Sequence, residues 1–483
     1  MTTNQLKPEA VFYCFSQINQ IPRPTHKEER MSKFLVDYGH KLGLETFQDE
    51  VGNVLIRKPA SKGLENLRPT VLQSHMDMVC EKVADSDFNF LTDPIRTYID
   101  GDWMKAEGTT LGADDGIGVA IEMAILADNT IQHGPLECLF TVSEEEGLTG
   151  AQGLKPGFFQ ADYLINLDSE DEGLIFISCA GGANTTATFH ATLESAPADS
   201  FFMRLSVSGL TGGHSGDDIE KKRANANKIL ARALHALQPY DVRIADIQSG
   251  GLHNAIPRHG YAIISVPAIE KENVVATINI LASEIQEEYS QTEPSLSLTV
   301  ESAEPVSQVL DKDTSDNLIT ALVSVPNGVL AMDQEIPNFV QTSSNLASVH
   351  LNGTDITIVL SQRSNILSAR KNASDMVGGV FRLAGADVET GDGYPGWKLN
   401  PESPLLRITV ESYKRIFHKD PQIKAIHAGL ECGLISEKYP NVDMVSFGPT
   451  LRGVHSPDER LLIPTVQMVW DHLLEVLKNI PSK

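Results

Sequence analysis

Along the first 180 residues, apolar positions fall into short runs that stop abruptly on polar side chains, and these runs alternate with stretches of helical spacing. Val11, Phe12, Phe15 and Ile18 recur three or four apart and predict a helix over 8–21. Thr25-His26-Lys27-Glu28 reads as a capping box that opens a second helix to about Leu42, with Gly43 as its stop. Strands are predicted over 53–57, 70–74, 136–142 and 162–167, and a helix ends near Asp128. Such alternation predicts an α/β domain, a mostly parallel sheet flanked by helices.

From about residue 190 the pattern changes. Ser200–Ser208 alternates like a half-exposed strand, and a glycine-rich loop follows at 209–216. Helices are predicted near 225–237, 271–288 and 372–384, with strands near 261–266, 295–301, 328–333 and 355–361. This is α+β texture. The chain returns through Tyr394-Pro395-Gly396-Trp397 to a helix at 404–417, a strand at 443–448 and a closing helix at 464–479. The expected organisation is a discontinuous catalytic domain, 1–189 with 397–483, carrying an inserted lid and dimerisation domain at 190–396. A chain of 483 residues is long enough to require more than one core.

The strand ends carry the candidate chemistry. The run at 70–74 delivers His75-Met76-Asp77, the run at 136–142 delivers Ser143-Glu144-Glu145-Glu146-Gly147, and the run at 162–167 delivers Asp168. Adjacent acids at the end of a core strand cost stability unless a cation or proton offsets them. A solvated acidic loop is the alternative reading of that run taken alone. In open α/β sheets, however, sites form in the crevice beyond the carboxyl ends of the strands. Asp77, two residues past His75, is placed to fix the tautomer of that ring, as a metal-bound imidazole needs; a hydrogen-bonded structural histidine fits equally. Asp114-Asp115 before Gly116 also fits an ordinary helix start, and His455 a turn. Together, two histidines and several carboxylates without cysteine suit zinc, cobalt or manganese in a two-metal hydrolytic centre. Glu144 and Glu145 can then divide the tasks of general base and ligand.

Composition narrows the setting. With 41% hydrophobic and 21% charged residues, the chain has the make-up of a soluble globular protein. No apolar run approaches the about 18–20 residues of a membrane span, and Met1–Lys7 lacks the apolar stretch of a secretory signal. Five scattered cysteines point to reduced thiols in a cytoplasm. A net charge of −25 disfavours nucleic acid and anionic membrane as partners and tolerates divalent cations.

The motifs in order are Ser74-His75-Met76-Asp77-Met78-Val79, Gly108–Gly116, Ser143–Gly147, Asn166-Leu167-Asp168-Ser169-Glu170 and Val454–Glu459. With them stand Gly209–Gly216, Asn254-Ala255-Ile256-Pro257-Arg258, Tyr394–Trp397 and Ile426–Gly433. The set resembles the aminoacyl-histidine dipeptidases, or cytosol non-specific dipeptidases. These belong to the co-catalytic zinc metallopeptidase superfamily that also holds aminoacylases and tripeptidases. The resemblance runs from about residue 10 to the C-terminus. It implies a dipeptidase acting on Xaa-His dipeptides, such as β-alanyl-histidine, with broad tolerance, through attack of a metal-bridging water. It also implies two divalent ions and a homodimer. Carried over by position, Asp114 bridges the ions, His75 and Asp168 complete one, and Glu145 and His455 the other. Glu144 is then the general base, Asp77 the orienter of His75, and His214 an oxyanion stabiliser, with Asn254, Arg363 and Gly429 binding substrate. Because a third acid, Glu146, follows the pair, this register is counted back from Gly147.

Overall fold

The computed structural model describes residues 6–483; Met1–Gln5, on which part of the signal-peptide expectation falls, lie outside the described residues. Two compact units divide the chain. One comprises the residues up to Ser178, Trp397–Ala425 and Leu430–Lys483; the other comprises Cys179–Gly396 with Ile426–Gly429.

The first unit is built on an eight-stranded sheet. In chain order its first strands are β1 (Glu45–Gln48), β2 (Val54–Lys58), β3 (Thr70–His75), β4 (Leu136–Thr141) and β5 (Tyr163–Asn166). The middle is parallel: β4 pairs β3, β3 pairs β5, and β5 pairs Asp443–Ser446. Antiparallel partners flank it, β2 and β1 on one side and Leu174–Cys179 on the other. Every residue of β3 and β4 is buried, so both read as continuous runs rather than alternations.

Three helices fix the strand ends: α1 (Glu9–Ile18), α2 (Glu29–Lys41) and α3 (Ala113–Ala127). α1 buries Val11, Phe12, Cys14, Phe15 and Ile18 in the core cluster. α3 is apolar on nearly all sides, as expected of a helix enclosed by its neighbours. Lys58 closes its far end, donating from Nζ to the carbonyls of Ile125 and Asp128 at 2.7 Å each, a cation where the helix dipole is negative. The capping box expected at Thr25–Glu28 is not made. α2 begins without a side-chain cap, and the buried Glu28 carboxylate accepts instead from the N–H (2.9 Å) and Oγ (2.7 Å) of Ser143. Two donors at the end of β4 outweigh a cap that water can replace.

The second unit holds a nine-stranded sheet whose strand pairs are antiparallel. Ala226–Ala236, Lys271–Glu288, Lys312–Ser324 and Leu367–Leu383 contribute apolar residues to one core with it. Its boundary falls at Cys179 rather than at 190, because Gly181–His190 is a strand of this sheet, paired with Asp355–Ser364. Asn184, Thr185, Thr186 and Thr188 dilute the apolar alternation that would have marked that strand. The residues Ile426–Gly429 also return to this unit from the expected catalytic half. No helix among the described residues is long and apolar enough to cross a membrane.

Phe140 on β4 is fully buried in the core of the first unit. Phe140→Ala is expected to cost about 3–5 kcal/mol through lost contacts and a residual cavity. Urea unfolding measures it as a lowered midpoint, and an unchanged midpoint contradicts the packing described.

Candidate metal centre

The parallel strands end on one side of the sheet, and the loops leaving them converge. β3 ends in His75, β4 runs into Glu144 and Glu145, and β5 leads to Asp168. Asp114 sits at the start of α3 with non-helical backbone angles (φ −81°, ψ 111°). Its carboxylate spans the centre: Oδ1 lies 3.1 Å from His75 Nε2 and Oδ2 lies 3.2 Å from His455 Nε2. Asp168 Oδ1 is 3.4 Å from the same His75 nitrogen, and Glu145 Oε2 is 2.9 Å from the same His455 nitrogen. Ligand atoms of His75, Asp114 and Asp168 lie within 4.8 Å of one another, as do those of Asp114, Glu145 and His455, and those of His75, Glu144 and Glu145. Glu146 stands apart. Its side chain is 72% exposed and meets His26 at 3.2 Å, whereas that of Glu145 is 4% exposed.

Several acids share this small buried volume, and their ionisation records the strain. Burial pushes Glu144 well above the ordinary carboxylate range and pushes Asp168 up to about 7. Burial and then the Asp114 charge raise Glu145. Hydrogen bonds donated to Asp114 and Glu145 raise His455 to about 11. Burial opposes charge on His75, but Asp168, Asp114 and Asp77 together hold it well above its usual value. Positive charge is therefore favoured at both imidazoles. Protons satisfy the geometry poorly: a single N–H at His75 Nε2 faces two carboxylate oxygens, and Glu145 Oε1 is buried without a partner. A histidine and carboxylate donor set without thiolate, with a surplus oxygen directed inward, fits a divalent cation in each half of the cluster.

Around the candidate ligands lies a buried polar scaffold in which spacing to His75 marks Asp77 but no periodicity marks Arg23 or Glu431. Asp77 Oδ1 is 3.3 Å from His75 Nδ1, and its two oxygens accept the N–H groups of Glu144 (3.0 Å) and Glu145 (3.3 Å). Burial works against its charge, yet His75 and those donors keep its carboxyl below the ordinary value. Arg23, 2% exposed, donates to the carbonyls of Met76 (3.2 Å), Asp77 (3.0 Å) and Gly112 (2.5 Å), tying the His75 loop to the Asp114 loop. A Cβ at Gly116 would stand 2.5 Å from its Nη2, so the glycine makes room for the guanidinium. Beneath the centre, Glu431 accepts from Gln73 Nε2 (2.6 Å) and Thr141 Oγ1 (2.7 Å).

The remaining candidates belong to the second unit. Backbone N–H groups of Gly216 (3.3 Å) and Asp217 (3.2 Å) donate to His214 Nδ1, which leaves the proton on Nε2. Burial and the Arg363 charge lower its pKa, favouring that neutral donor form. Arg363 is 6% exposed and donates to Tyr394 Oη at 3.0 Å; its Nε is buried without a partner, and no carboxylate among the described residues lies in ion-pair range of it. Gly429 packs on the Tyr394 ring, where a Cβ would come within 2.8 Å. Asn254 is exposed, and its carbonyl accepts the Ser215 N–H at 2.8 Å. His427, absent from the expected site, bonds Ser343 Oγ at 2.7 Å, and burial lowers it to about 3.

Residues 71–479 match the description of peptidase family M20/M25/M40. The chain belongs to that family. This M20 chain is 42% identical to the cytosol non-specific dipeptidase of Escherichia coli (strain K12), over 99% of each sequence. The crystal structure of aminoacylhistidine dipeptidase from Vibrio alginolyticus superimposes with a TM-score of 0.91 at 41% identity, covering 100% of this chain and 99% of that one. Aminopeptidase PepT from Bacillus cereus ATCC 10987 shares the fold, with a TM-score of 0.61 at 17% identity over 98% of this chain and 99% of that one.

The buried Glu431 yields a pH-dependent expectation. Burial raises its carboxyl from 4.5 to about 7. The folded state thus holds this proton more tightly than the unfolded state does. The associated stability is full below about pH 4.5 and is lost as pH rises through 7. Glu431→Gln keeps an acceptor for Thr141 and removes the loss. In metal-free protein, urea unfolding of this variant is expected to gain on wild type between pH 5 and pH 8; parallel pH profiles contradict the assignment.

Proposed function

We propose that this M20 peptidase is a metal-dependent dipeptidase that cleaves Xaa-His dipeptides, β-alanyl-histidine among them, with broad tolerance for other dipeptides. The observation that carries the metal-dependent part is Asp114, one oxygen directed to each histidine of the cluster. The substrate class rests on full-length likeness to a cytosol non-specific dipeptidase and an aminoacylhistidine dipeptidase. His75 and Asp168 would hold one divalent ion, Glu145 and His455 a second, and Asp114 both, with zinc preferred over cobalt or manganese. Bound there, the ions polarise the scissile carbonyl and lower the pKa of nearby water.

The chain's own residues carry the proton. Glu144 takes it from the attacking water and returns it to the leaving amine; burial raises its carboxyl above the ordinary range, which makes it a stronger base than an exposed glutamate. Asp77 acts through His75, fixing its tautomer from Nδ1. His214, with its proton on Nε2, suits the role of a neutral donor to a developing oxyanion. The buried guanidinium of Arg363, whose Nε has no partner, suits the dipeptide's free carboxylate, and Asn254 and Gly429 are assigned to the same substrate. The same reading has the enzyme act as a homodimer and work in the cytoplasm, a setting that suits the reduced thiols of Cys14, Cys80 and Cys138.

Glu144→Gln is expected to lower turnover by about 10²–10⁴-fold while metal analysis finds the wild-type ion content. Full activity in that variant removes Glu144 from the mechanism. A panel of a histidine-containing dipeptide, an N-acyl amino acid and a tripeptide tests the substrate class. Faster hydrolysis of either of the last two replaces the dipeptidase reading with an aminoacylase or tripeptidase.

A further inference from the structure

Glu459 closes the motif that begins at His455, and its side chain has an unusual set of partners. It is 2% exposed. Oε2 accepts the N–H groups of Leu111 (2.7 Å) and Gly112 (3.0 Å), and Oε1 those of Ala113 (2.8 Å) and Asp114 (3.3 Å). Four consecutive amides of the loop that presents Asp114 therefore converge on one carboxylate. Both oxygens face donors, so a protonated carboxyl would set an O–H against an N–H, and the geometry requires the anion. The Glu459 N–H in turn donates to the Ser456 carbonyl at 3.0 Å, which ties the side chain to the turn bearing His455. That turn needs an anchor: His455 has a left-handed φ of 60° and is half-exposed.

We propose that Glu459 is a positioning residue of the candidate metal centre, coupling the Asp114 loop to the His455 turn so that both donors meet one ion. The inference rests on the two-ion reading given above. Asp114 and His455 come from segments more than 300 residues apart, and the direct contact between them, His455 Nε2 to Asp114 Oδ2 at 3.2 Å, joins only the tips of two side chains and leaves their backbones unlinked. Glu459 links them through four charge-assisted hydrogen bonds to the backbone just before Asp114, and it touches neither the reacting atoms nor the cation itself. Arg23 performs the matching task on the other side, between Gly112 and the loop after His75. A glutamine at 459 has one acceptor oxygen, and its NH₂ would confront amide N–H groups that now have an acceptor.

The test is a titration of metal-free, full-length chain with Co²⁺, followed by visible absorption. Wild type is expected to take two ions per chain. Glu459→Gln is expected to bind one of them about 10–100-fold more weakly, the range found when an outer-shell partner of a metal ligand is removed. Glu459→Asp, which keeps the charge, should recover part of that loss. The comparison variant is Glu293→Gln in the second unit, where another buried carboxylate accepts the Thr211 N–H (2.7 Å) and Oγ1 (2.8 Å) and the Ala224 N–H (3.1 Å). It is expected to lower the thermal midpoint while leaving both Co²⁺ affinities at wild-type values. If folded Glu459→Gln keeps both wild-type affinities, the proposal is overturned. If that variant does not fold, Glu459→Asp decides: weakened binding of one ion supports the proposal, and wild-type binding overturns it. Failure of the wild-type chain to bind two ions is a different result, and it removes the two-ion reading itself.

Discussion

Like charges held in a small buried volume repel, and the first unit is organised around that constraint. His75 is hemmed by Asp77, Asp114 and Asp168, and His455 by Asp114 and Glu145. In a medium of low polarity such a cluster is unfavourable unless positive charge enters it. The pKa directions express the same demand: burial raises the carboxyls of Glu144 and Asp168, and both imidazoles rise toward the charged form. A parallel sheet suits the task because its strand ends bring loops distant in sequence to one edge. The apolar bodies of β3 and β4 hold that edge rigid while their last residues bear the charge.

Apolar packing alone does not fix where the side chains of the candidate centre stand. The buried polar groups around the centre do this, each linking two of the segments that carry its side chains. Asp77 joins the His75 loop to the amides of Glu144 and Glu145, and Arg23 joins it to Gly112. Every one of these groups is buried, so breaking a link strands a charge rather than merely losing a bond.

Much of this was legible in the residues. Strands stopping at His75, Glu144 and Asp168, and helices such as 271–288 and 404–417, follow from apolar periodicity and reappear at nearly the same bounds. What escaped has a common cause. Val340–Asn352 buries Thr342, Ser343, Ser344 and Asn345 in an unbroken polar run, so the first half of a central strand of the second sheet carries no apolar signature. Gly181–His190 is polar for the same reason, and the domain boundary shifted with it. Arg23, Glu431 and Glu459 resemble surface charges in sequence, because nothing local reveals that a charged side chain is enclosed by backbone amides and carbonyls from remote segments. Glu146 shows the converse. It could not be told from its neighbours by spacing, yet the turn after β4 directs it outward to His26.

The price of this arrangement falls on the protein without its ligands. In the second unit Arg363 is buried beside a tyrosine hydroxyl rather than a carboxylate, and in the first Glu145 leaves an oxygen buried and unpaired. A fold selected for stability alone would pair both or replace them with apolar groups of similar volume. Leaving them unsatisfied makes an anion at Arg363 and a cation at Glu145 favourable occupants, since each would relieve a cost already present in the folded chain. Whatever binds the folded state and not the unfolded one also raises stability by mass action. On the function proposed above, the same unpaired atoms would give an anion and a cation their hold, so that stability and recognition rest on one group of side chains.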